Sequence, residues 1–239
     1  MCGVTVTAFQ ALLTAVVNRL YLGIMNPKNN MAANTPGFIV SILRDAIIKG
    51  HYKANEPLRQ DQIAKDLGVS KIPLREALVE LKSEGLVTFL PRRGAIVSGL
   101  SGAEVEEIYT MRRALETAAI EKAIPLLGNA DIIRARSVLE IIDSGTEKDQ
   151  WGELNWEFHA NLYQAAQMPK MLKTIHTLHN NVTRYLIIYL DRLSASDRSQ
   201  KEHWDLLRAC QDKNTQAALN VLKKHLQQAS DNLVSFLSS

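Results

Sequence analysis

The sequence has few cysteines, little net charge and no long apolar segment free of charged residues. Two cysteines, Cys2 and Cys210, among 239 residues are too few for a disulfide framework or a cysteine zinc site, and they fit a reducing compartment. A net charge of +3 excludes a uniformly polycationic protein. The apolar residues 4–25 follow no basic segment and are interrupted by Arg19, which argues against a membrane span. We expect a cytoplasmic protein with no membrane partner.

Residues 1–35 are expected to form a disordered N-terminal extension. Asn26-Pro27-Lys28-Asn29-Asn30 breaks any regular structure. A signal peptide or anchor is the alternative for the apolar part. Met31 is a second candidate for the first residue of the native chain, and mass spectrometry of the N-terminus would decide between the two starts.

The charge is unevenly distributed along a chain long enough for two domains. Residues 36–97 carry a net charge of +3, whereas residues 98–239 carry −2. A polyanionic partner is therefore expected to bind the first segment.

The stretch Gly68–Leu78 is predicted to be a tight turn followed by a helix. Gly68 ends the preceding helix because glycine tolerates the left-handed conformation. Ser70 is expected to cap the new helix through its side chain, and Pro73 falls in the first turn, where no N–H is needed. The apolar stripe of this helix comprises Leu74, Leu78 and Leu81.

Lys71, Arg75 and Lys82 lie on another face of the same helix. A helix N-terminus that carries short polar and basic residues has the geometry that enters a DNA major groove. An ordinary amphipathic helix with a solvated charged face is the alternative.

The elements around this helix favour a DNA-binding domain. Helical spacing predicts a helix over 36–49 and another over 59–67, and two strands over 86–90 and 95–97. This order is that of a winged helix-turn-helix. Arg92 and Arg93 at the hairpin tip suit a wing on a phosphate backbone, and a surface hairpin with two arginines is the alternative.

After a hinge at residues 98–100, the sequence predicts helices over 101–239. Ser101 and Glu104 form a capping box, and six helices with short connections predict an antiparallel bundle. The fold class is therefore mainly α, with a winged helix-turn-helix at 36–97 and an all-helical bundle at 101–239. The inward face of the first bundle helix is assigned to Val105, Ile108, Tyr109, Met111, Leu115, Ala118 and Ala119.

Histidines in the bundle form a candidate metal site. Asn155 and His159 are four residues apart and share a helix face, while His203 and His225 lie on the last two helices at similar heights. Three imidazoles and one oxygen suit zinc or a similar divalent ion. His176 and His179 are possible competing ligands, and ordinary surface or satisfied histidines are the alternative.

Two further functions are alternatives for the same residues. A metal-dependent hydrolase needs a general base, but Glu157 lies two residues from both Asn155 and His159 and points elsewhere, so we expect no enzyme. A DNA-packaging protein would bind DNA with little sequence preference.

Residues 58–97 resemble the DNA-binding domain of the GntR family of bacterial transcription regulators, and the second half resembles the FCD ligand-binding domain of its FadR-type subfamily. The first resemblance is carried by residues 67–70, 73–78, 84–87 and 93–97. The second is carried by residues 112–116, 155–159, 202–203 and 225–226.

The resemblance implies a homodimeric repressor that binds a palindromic double-stranded DNA operator and responds to a small carboxylate metabolite. Lys71 stands where Arg is usual, and Lys makes one point contact instead of a bidentate fork. The DNA-binding residues that the resemblance implies are Arg59, Ser70, Lys71, Pro73, Arg75, Arg92, Arg93 and Gly94.

The resemblance also implies a divalent metal ion, zinc in the first place and nickel as the alternative. Arg112 would point into the same cavity and pair with a carboxylate on the effector. The first ligand in this family is more often Asp than Asn. The implied metal ligands are Asn155, His159, His203 and His225.

Overall fold

The structure, a computed structural model, describes residues 35–145, 148–193 and 196–238, without the side chains of 148–149, 187–193 and 196–197. The described chain divides into two compact units, one ending at Gly99 and the other beginning at Leu100. Of the predicted disordered extension, residues 1–35, all but the last residue lie outside the described residues.

Within the described residues, the first unit contains three helices and a β-hairpin, so the predicted winged helix-turn-helix is confirmed. The hairpin is antiparallel, with Val87 opposite Val97 and Leu90 opposite Gly94. Residues 55–58, predicted as loop only, also bond to the second strand, since the Leu58 N–H donates to the Ala95 carbonyl over 2.9 Å. The elements are α1 (Pro36–Ile48), α2 (Gln60–Leu67), α3 (Lys71–Ser83), β1 (Val87–Leu90) and β2 (Gly94–Val97).

The core of the first unit is organised around α3. Leu74, Leu78 and Leu81 are fully buried, as their spacing predicts. Arg44 of α1 donates through Nε to Glu84 just after α3 over 2.8 Å. This packing fixes α3 from behind and leaves its opposite face exposed.

The turn before α3 forms as predicted, but the predicted side-chain cap does not. Gly68 has a φ of +66°, a conformation that glycine adopts without a Cβ penalty. Ser70 occupies the N-cap position in an extended conformation, yet its side chain makes no capping bond to the described residues. The capping prediction for Ser70 is therefore wrong, and its exposed hydroxyl is left for another partner.

The second unit contains six α-helices among the residues that the structure describes, so the predicted bundle is confirmed. The capping box forms, because the Glu104 N–H donates to Ser101 Oγ over 3.3 Å and the Ser101 N–H donates to Glu104 Oε2 over 2.8 Å. The helices are α4 (Gly102–Ala123), α5 (Asn129–Asp143), α6 (Lys148–Tyr163), α7 (Pro169–Leu193), α8 (Ser196–Gln211) and α9 (Thr215–Ser238).

One prediction for α4 is wrong. Met111 is 40% exposed and does not belong to the inward face. That face passes instead through Arg112 and Glu116, which are 3% and 1% exposed. Two charged residues therefore occupy positions that the helical period reserves for apolar ones. In the described ranges, no helix is long and apolar enough to cross a membrane.

Candidate metal centre and nucleic-acid interface

The N-terminal end of α3 presents an exposed polar and basic surface. Lys71 Nζ lies 2.6 Å from Asp61 Oδ1, and Arg75 Nε donates to Gln60 Oε1 over 3.2 Å. Both bonds join α3 to α2 at the surface, where water or a phosphate can replace the partner at little cost. Ser70 and Arg59 are also exposed, whereas Pro73 in the first turn is half-buried.

The hairpin tip presents the second basic group. Arg92, Arg93 and Gly94 are exposed, and both Arg92 and Gly94 have positive φ angles, +63° and +72°. An arginine in the left-handed region is uncommon, so the tight turn holds Arg92 at the tip against its backbone preference. The structure thus places the eight predicted DNA-binding residues on α3, at the start of α2 and at the hairpin tip, all within the first unit.

Sequence reasoning assigned no role to Ile72. This side chain lies beside Lys71 at the start of α3 and is 70% exposed. An exposed apolar residue at this position suits contact with the methyl group of thymine in a major groove. The sequence does indicate this exposure, because Ile72 lies outside the apolar stripe of Leu74, Leu78 and Leu81.

The imidazoles of His159, His203 and His225 converge in the second unit. Their ring centroids are 5.1 Å apart for His159 and His203, 5.6 Å for His159 and His225, and 4.8 Å for His203 and His225. One ligand atom from each lies within 4.8 Å of the others. Asn155, one turn before His159 on α6, is buried as well.

Each of the three histidines is hydrogen-bonded through Nδ1. His225 Nδ1 lies 2.9 Å from Glu202 Oε2, His203 Nδ1 lies 3.3 Å from Gln200 Oε1, and His159 Nδ1 lies 3.1 Å from the Tyr163 hydroxyl. Glutamate and amide oxygens are acceptors, which assigns the Nδ1 proton of His225 and His203. Their Nε2 lone pairs are then available to a metal.

The electrostatics of the site favour neutral imidazoles. Burial, and then the neighbouring histidines, lowers the pKa of His159 and of His203 well below the usual 6.5. Burial acts to raise the pKa of the Glu202 carboxyl, but the bond from His225 and nearby basic groups outweigh it, so this pKa is lowered. Metal-binding histidines must be neutral, and the lowered pKa values of His159 and His203 favour that form.

The buried oxygen and nitrogen atoms of the histidine cluster fit a divalent metal as ligands. Within the part of the chain that is described, three buried atoms at the cluster have no hydrogen-bond partner: Asn155 Oδ1, His159 Nε2 and His203 Nε2. An orphaned buried polar atom costs about 1–3 kcal/mol, and a metal ion would satisfy all three. Imidazole suits zinc, nickel, copper and iron.

The other histidines and Glu157 lie apart from this cluster. His179 is buried, and its Nε2 lies 3.3 Å from the Gly152 carbonyl. His176 stacks on Trp156 with ring centroids 4.4 Å apart. Glu157 is exposed on the outer face of α6, as its spacing predicts, so it offers no general base at the cluster.

A cavity of about 210 Å³ adjoins the cluster. Arg112, Asn155 and His225 line it, so the predicted effector residue and two predicted metal ligands share one space. Arg112 Nε donates to Glu116 Oε1 over 2.7 Å in a fully buried ion pair. Tyr109, Arg198 and Gln228 also reach the cavity and supply further polar groups.

Sequence reasoning assigned no role at the site to Glu116, Tyr163 and Glu202. Glu116 and Tyr163 are buried side chains bonded to each other over 2.7 Å, and Glu202 orients His225. The signal for Glu116 was its position on the inward stripe of α4, four residues after Arg112. The role of Tyr163, four residues after His159, depends on a partner 47 residues away and had no local signal.

A winged helix-turn-helix followed by a helical bundle with a candidate ligand cavity is the architecture of one-component transcription regulators. In this class a single polypeptide carries both the DNA-binding and the ligand-binding domain. Family models agree: the model for "Bacterial regulatory proteins, gntR family" matches residues 37–97, and the FCD domain model matches residues 107–228. The chain belongs to the GntR family of transcription regulators and carries an FCD domain, so the predicted family is confirmed and the protein is a regulator instead of an enzyme.

Curated relatives are regulators of similar length. The HTH-type transcriptional repressor RspR of Escherichia coli K12 is 27% identical over 82% of this chain and 87% of that protein. The HTH-type transcriptional repressor GlaR of the same organism is 27% identical over 77% of this chain and 89% of that protein.

Solved structures share the fold. E. coli McbR/YncC aligns with a TM-score of 0.75 at 24% identity, over 84% of this chain and 97% of that chain. A GntR-family regulator from Pseudomonas syringae aligns with a TM-score of 0.55 at 29% identity, over 98% of this chain and 97% of that chain.

Proposed function

We propose that the protein is a metabolite-responsive repressor that binds a palindromic operator as a homodimer and releases it when a small organic acid binds beside a metal in the bundle. The convergence of His159, His203 and His225 on one point next to Arg112 carries the ligand half of this proposal. The family and the repressor names of two relatives support the DNA half. A repressor must be in the same compartment as its operator, so the proposed function places the protein in the cytoplasm.

The exposed end of α3 and the hairpin tip form the DNA-binding surface. Ser70, Lys71, Ile72 and Arg75 are the side chains that reach base edges in the major groove. Arg59, Arg92 and Arg93 contact phosphates, which fix the position of the protein but carry little sequence information. A homodimer repeats this surface with two-fold symmetry, which matches a palindromic operator.

His159, His203 and His225 would hold the metal through Nε2, and Asn155 would add its side-chain oxygen. When bound, the metal supplies a positive centre that can take a carboxylate oxygen into its coordination sphere. Glu202 orients His225 from behind, and Gln200 does the same for His203.

The effector is a small carboxylate that fits a cavity of about 210 Å³. Arg112 offers it a planar guanidinium whose Nε is held by Glu116 and whose terminal N–H groups can form a charge-assisted bond with a carboxylate. Tyr109 and Gln228 line the same cavity and favour an acid that also carries hydroxyl groups.

The effector acts through linkage between its site and the operator. It shifts operator affinity only by its unequal affinity for the DNA-bound and free forms, and couplings of this kind are about 5–150-fold. Residues 98–100, which join the two units, are the hinge through which the bundle reorients the DNA-binding domains of the dimer.

Replacement of Arg75 by Ala tests the DNA half. Removal of a side chain that reads a base costs about 1–3 kcal/mol, so the variant should bind the operator about 5–150-fold more weakly and lose its preference over random DNA. A gel-shift titration with Lys173→Ala, an exposed substitution in the bundle, as the control measures both. Unchanged operator binding by Arg75→Ala would refute the assignment.

Replacement of His203 by Ala tests the metal half. The variant removes one of three imidazole ligands and should be isolated with little zinc or nickel, whereas His176→Ala, outside the cluster, should retain the wild-type content. Elemental analysis of both proteins, purified without chelators, gives the result. Equal metal content in wild type and His203→Ala would place any metal elsewhere.

A further inference from the structure

We propose that Glu116 and Tyr163 are positioning residues that hold the proton of His159 on Nδ1, so that its Nε2 is kept as a metal ligand and is connected to the effector arginine. This inference rests on the proposed metal site and adds two buried residues, one on α4 and one on α6, that set the tautomer of a metal ligand. It concerns residues that touch neither the metal nor the cavity centre directly.

A continuous chain of hydrogen bonds carries the inference. Arg112 Nε donates to Glu116 Oε1 over 2.7 Å, the Tyr163 hydroxyl lies 2.7 Å from Glu116 Oε2, and the same hydroxyl lies 3.1 Å from His159 Nδ1. Arg112, Glu116, Tyr163 and His159 are at most 3% exposed. Because these side chains are buried, each group depends on its neighbour in the series of hydrogen bonds.

The donors and acceptors in this chain can be satisfied in one direction. Arg112 can only donate, so Glu116 accepts at Oε1. Glu116, as the carboxylate of the ion pair, also accepts the Tyr163 proton at Oε2. The Tyr163 oxygen has no second proton to give, so His159 must donate through Nδ1–H. The lone pair of His159 is then on Nε2, the buried atom that faces the candidate metal position.

The same tautomer is set differently at the other two ligands. Glu202 and Gln200 accept directly from His225 and His203. At His159 the acceptor is a phenol, which could also donate, so the carboxylate behind it is what decides the direction. Outer partners of this kind typically change metal affinity by about 10–100-fold when they are removed.

The chain also joins the metal site to the effector site. Arg112 lines the cavity and pairs with the carboxylate that controls His159. A ligand carboxylate that binds Arg112 therefore competes with Glu116 for the positive charge of the guanidinium. The resulting change at Glu116 reaches the metal ligand His159 over two hydrogen bonds, through Tyr163. Metal and effector affinities are coupled through Glu116 and Tyr163.

Replacement of Tyr163 by Phe tests the inference, because it keeps the buried ring and removes the hydroxyl. The control is Tyr185→Phe, which removes another buried hydroxyl, one that accepts from Arg184 Nη2 over 2.6 Å and lies outside the chain. The full-length proteins are stripped with a chelator and titrated with zinc against a chromophoric competitor. Zinc affinity should fall about 10–100-fold in Tyr163→Phe and stay at the wild-type value in Tyr185→Phe.

A second variant, Glu116→Gln, should reverse the direction of donation in this series of hydrogen bonds. The new amide donates to the Tyr163 oxygen, the phenol proton turns to His159 Nδ1, and the imidazole proton is displaced to Nε2. Long-range ¹H–¹⁵N NMR of the metal-free protein should show His159 protonated on Nδ1 in wild type and on Nε2 in Glu116→Gln. A merely structural role for Glu116 would leave this tautomer unchanged.

The outcomes separate the two proposals. If wild-type protein binds no zinc, the proposed metal site fails. The His159 tautomers measured by NMR still test the direction of the hydrogen bonds independently of any metal. If wild type binds zinc and Tyr163→Phe binds it equally well, or if His159 keeps its tautomer in Glu116→Gln, the inference is overturned and the metal site stands.

Discussion

Loss of one charge from the Arg112–Glu116 pair should destabilise the bundle far more than loss of both charges. The arginine side chain is 4% exposed and the glutamate side chain 1%. Glu116→Ala leaves a buried guanidinium without its counter-charge, and broken buried pairs of this kind cost about 3–5 kcal/mol. The Tyr109 ring, 4.9 Å from the Arg112 guanidinium carbon, offsets a small part of this cost.

The double variant Arg112→Met/Glu116→Leu removes both charges together. Apolar replacement of a buried pair is often neutral or stabilising by about 1–4 kcal/mol. The Tyr163 hydroxyl loses its acceptor at a cost of about 1–3 kcal/mol. The two contributions nearly cancel, so the double variant should have close to wild-type stability although Glu116→Ala alone does not.

Urea unfolding in the presence of a chelator measures these differences. All three tryptophans, Trp151, Trp156 and Trp204, lie in the bundle, so their fluorescence reports on this unit. The surface reference is Asp205→Ala, whose partner Arg208 is 61% exposed and whose loss should cost at most about 1 kcal/mol. The reasoning fails if Glu116→Ala costs no more than Asp205→Ala, or if the double variant is destabilised as much as Glu116→Ala.

Two further predictions concern pH and salt. Burial lowers the pKa of His159, His179 and His203 well below 6.5, so the unfolded chain takes up protons that the folded, metal-free bundle refuses. Its stability should be complete above about pH 6.5 and fall at lower pH by up to about 1.4 kcal/mol per unit for each histidine, and urea unfolding between pH 7.5 and 5 that shows no change would contradict this. Arg92→Ala should weaken operator and random DNA alike and reduce the slope of log affinity against log salt by about 0.9 for each phosphate that is no longer neutralised, and an unchanged slope in a salt titration would remove Arg92 from the interface.

Much of the fold is local enough to be predicted. The helices of both units follow from apolar spacing, and their ends follow from Gly68 and the Ser101–Glu104 capping box. The proximity of His203 and His225 follows from the helical rise on either side of a short turn. These features depend on residues within one or two elements, which is why the sequence alone indicates them.

The remaining features depend on contacts distant in sequence. Met111 was assigned to the core because it is apolar, although the inward stripe of α4 runs through Arg112 and Glu116. A charged residue on such a stripe is interpretable only when its partners are known, and Tyr163 and His159 come from another helix. The missing Ser70 cap has a similar cause, since an N-cap position permits a side-chain bond without enforcing it.

Asn155 gives the site a charge balance that depends on the metal. Arg112 and Arg198 at the cavity are matched by Glu116 and Glu202, each of which lies beside one of them. An Asp at position 155 would add a negative charge and neutralise part of any bound divalent ion, but Asn adds none. The loaded site would keep the full charge of the ion, so the metal would be held less tightly while an anionic effector would be held more tightly. By reciprocity the effector would then strengthen metal binding by the same factor, which would make joint binding of metal and acid the favoured state of the proposed site.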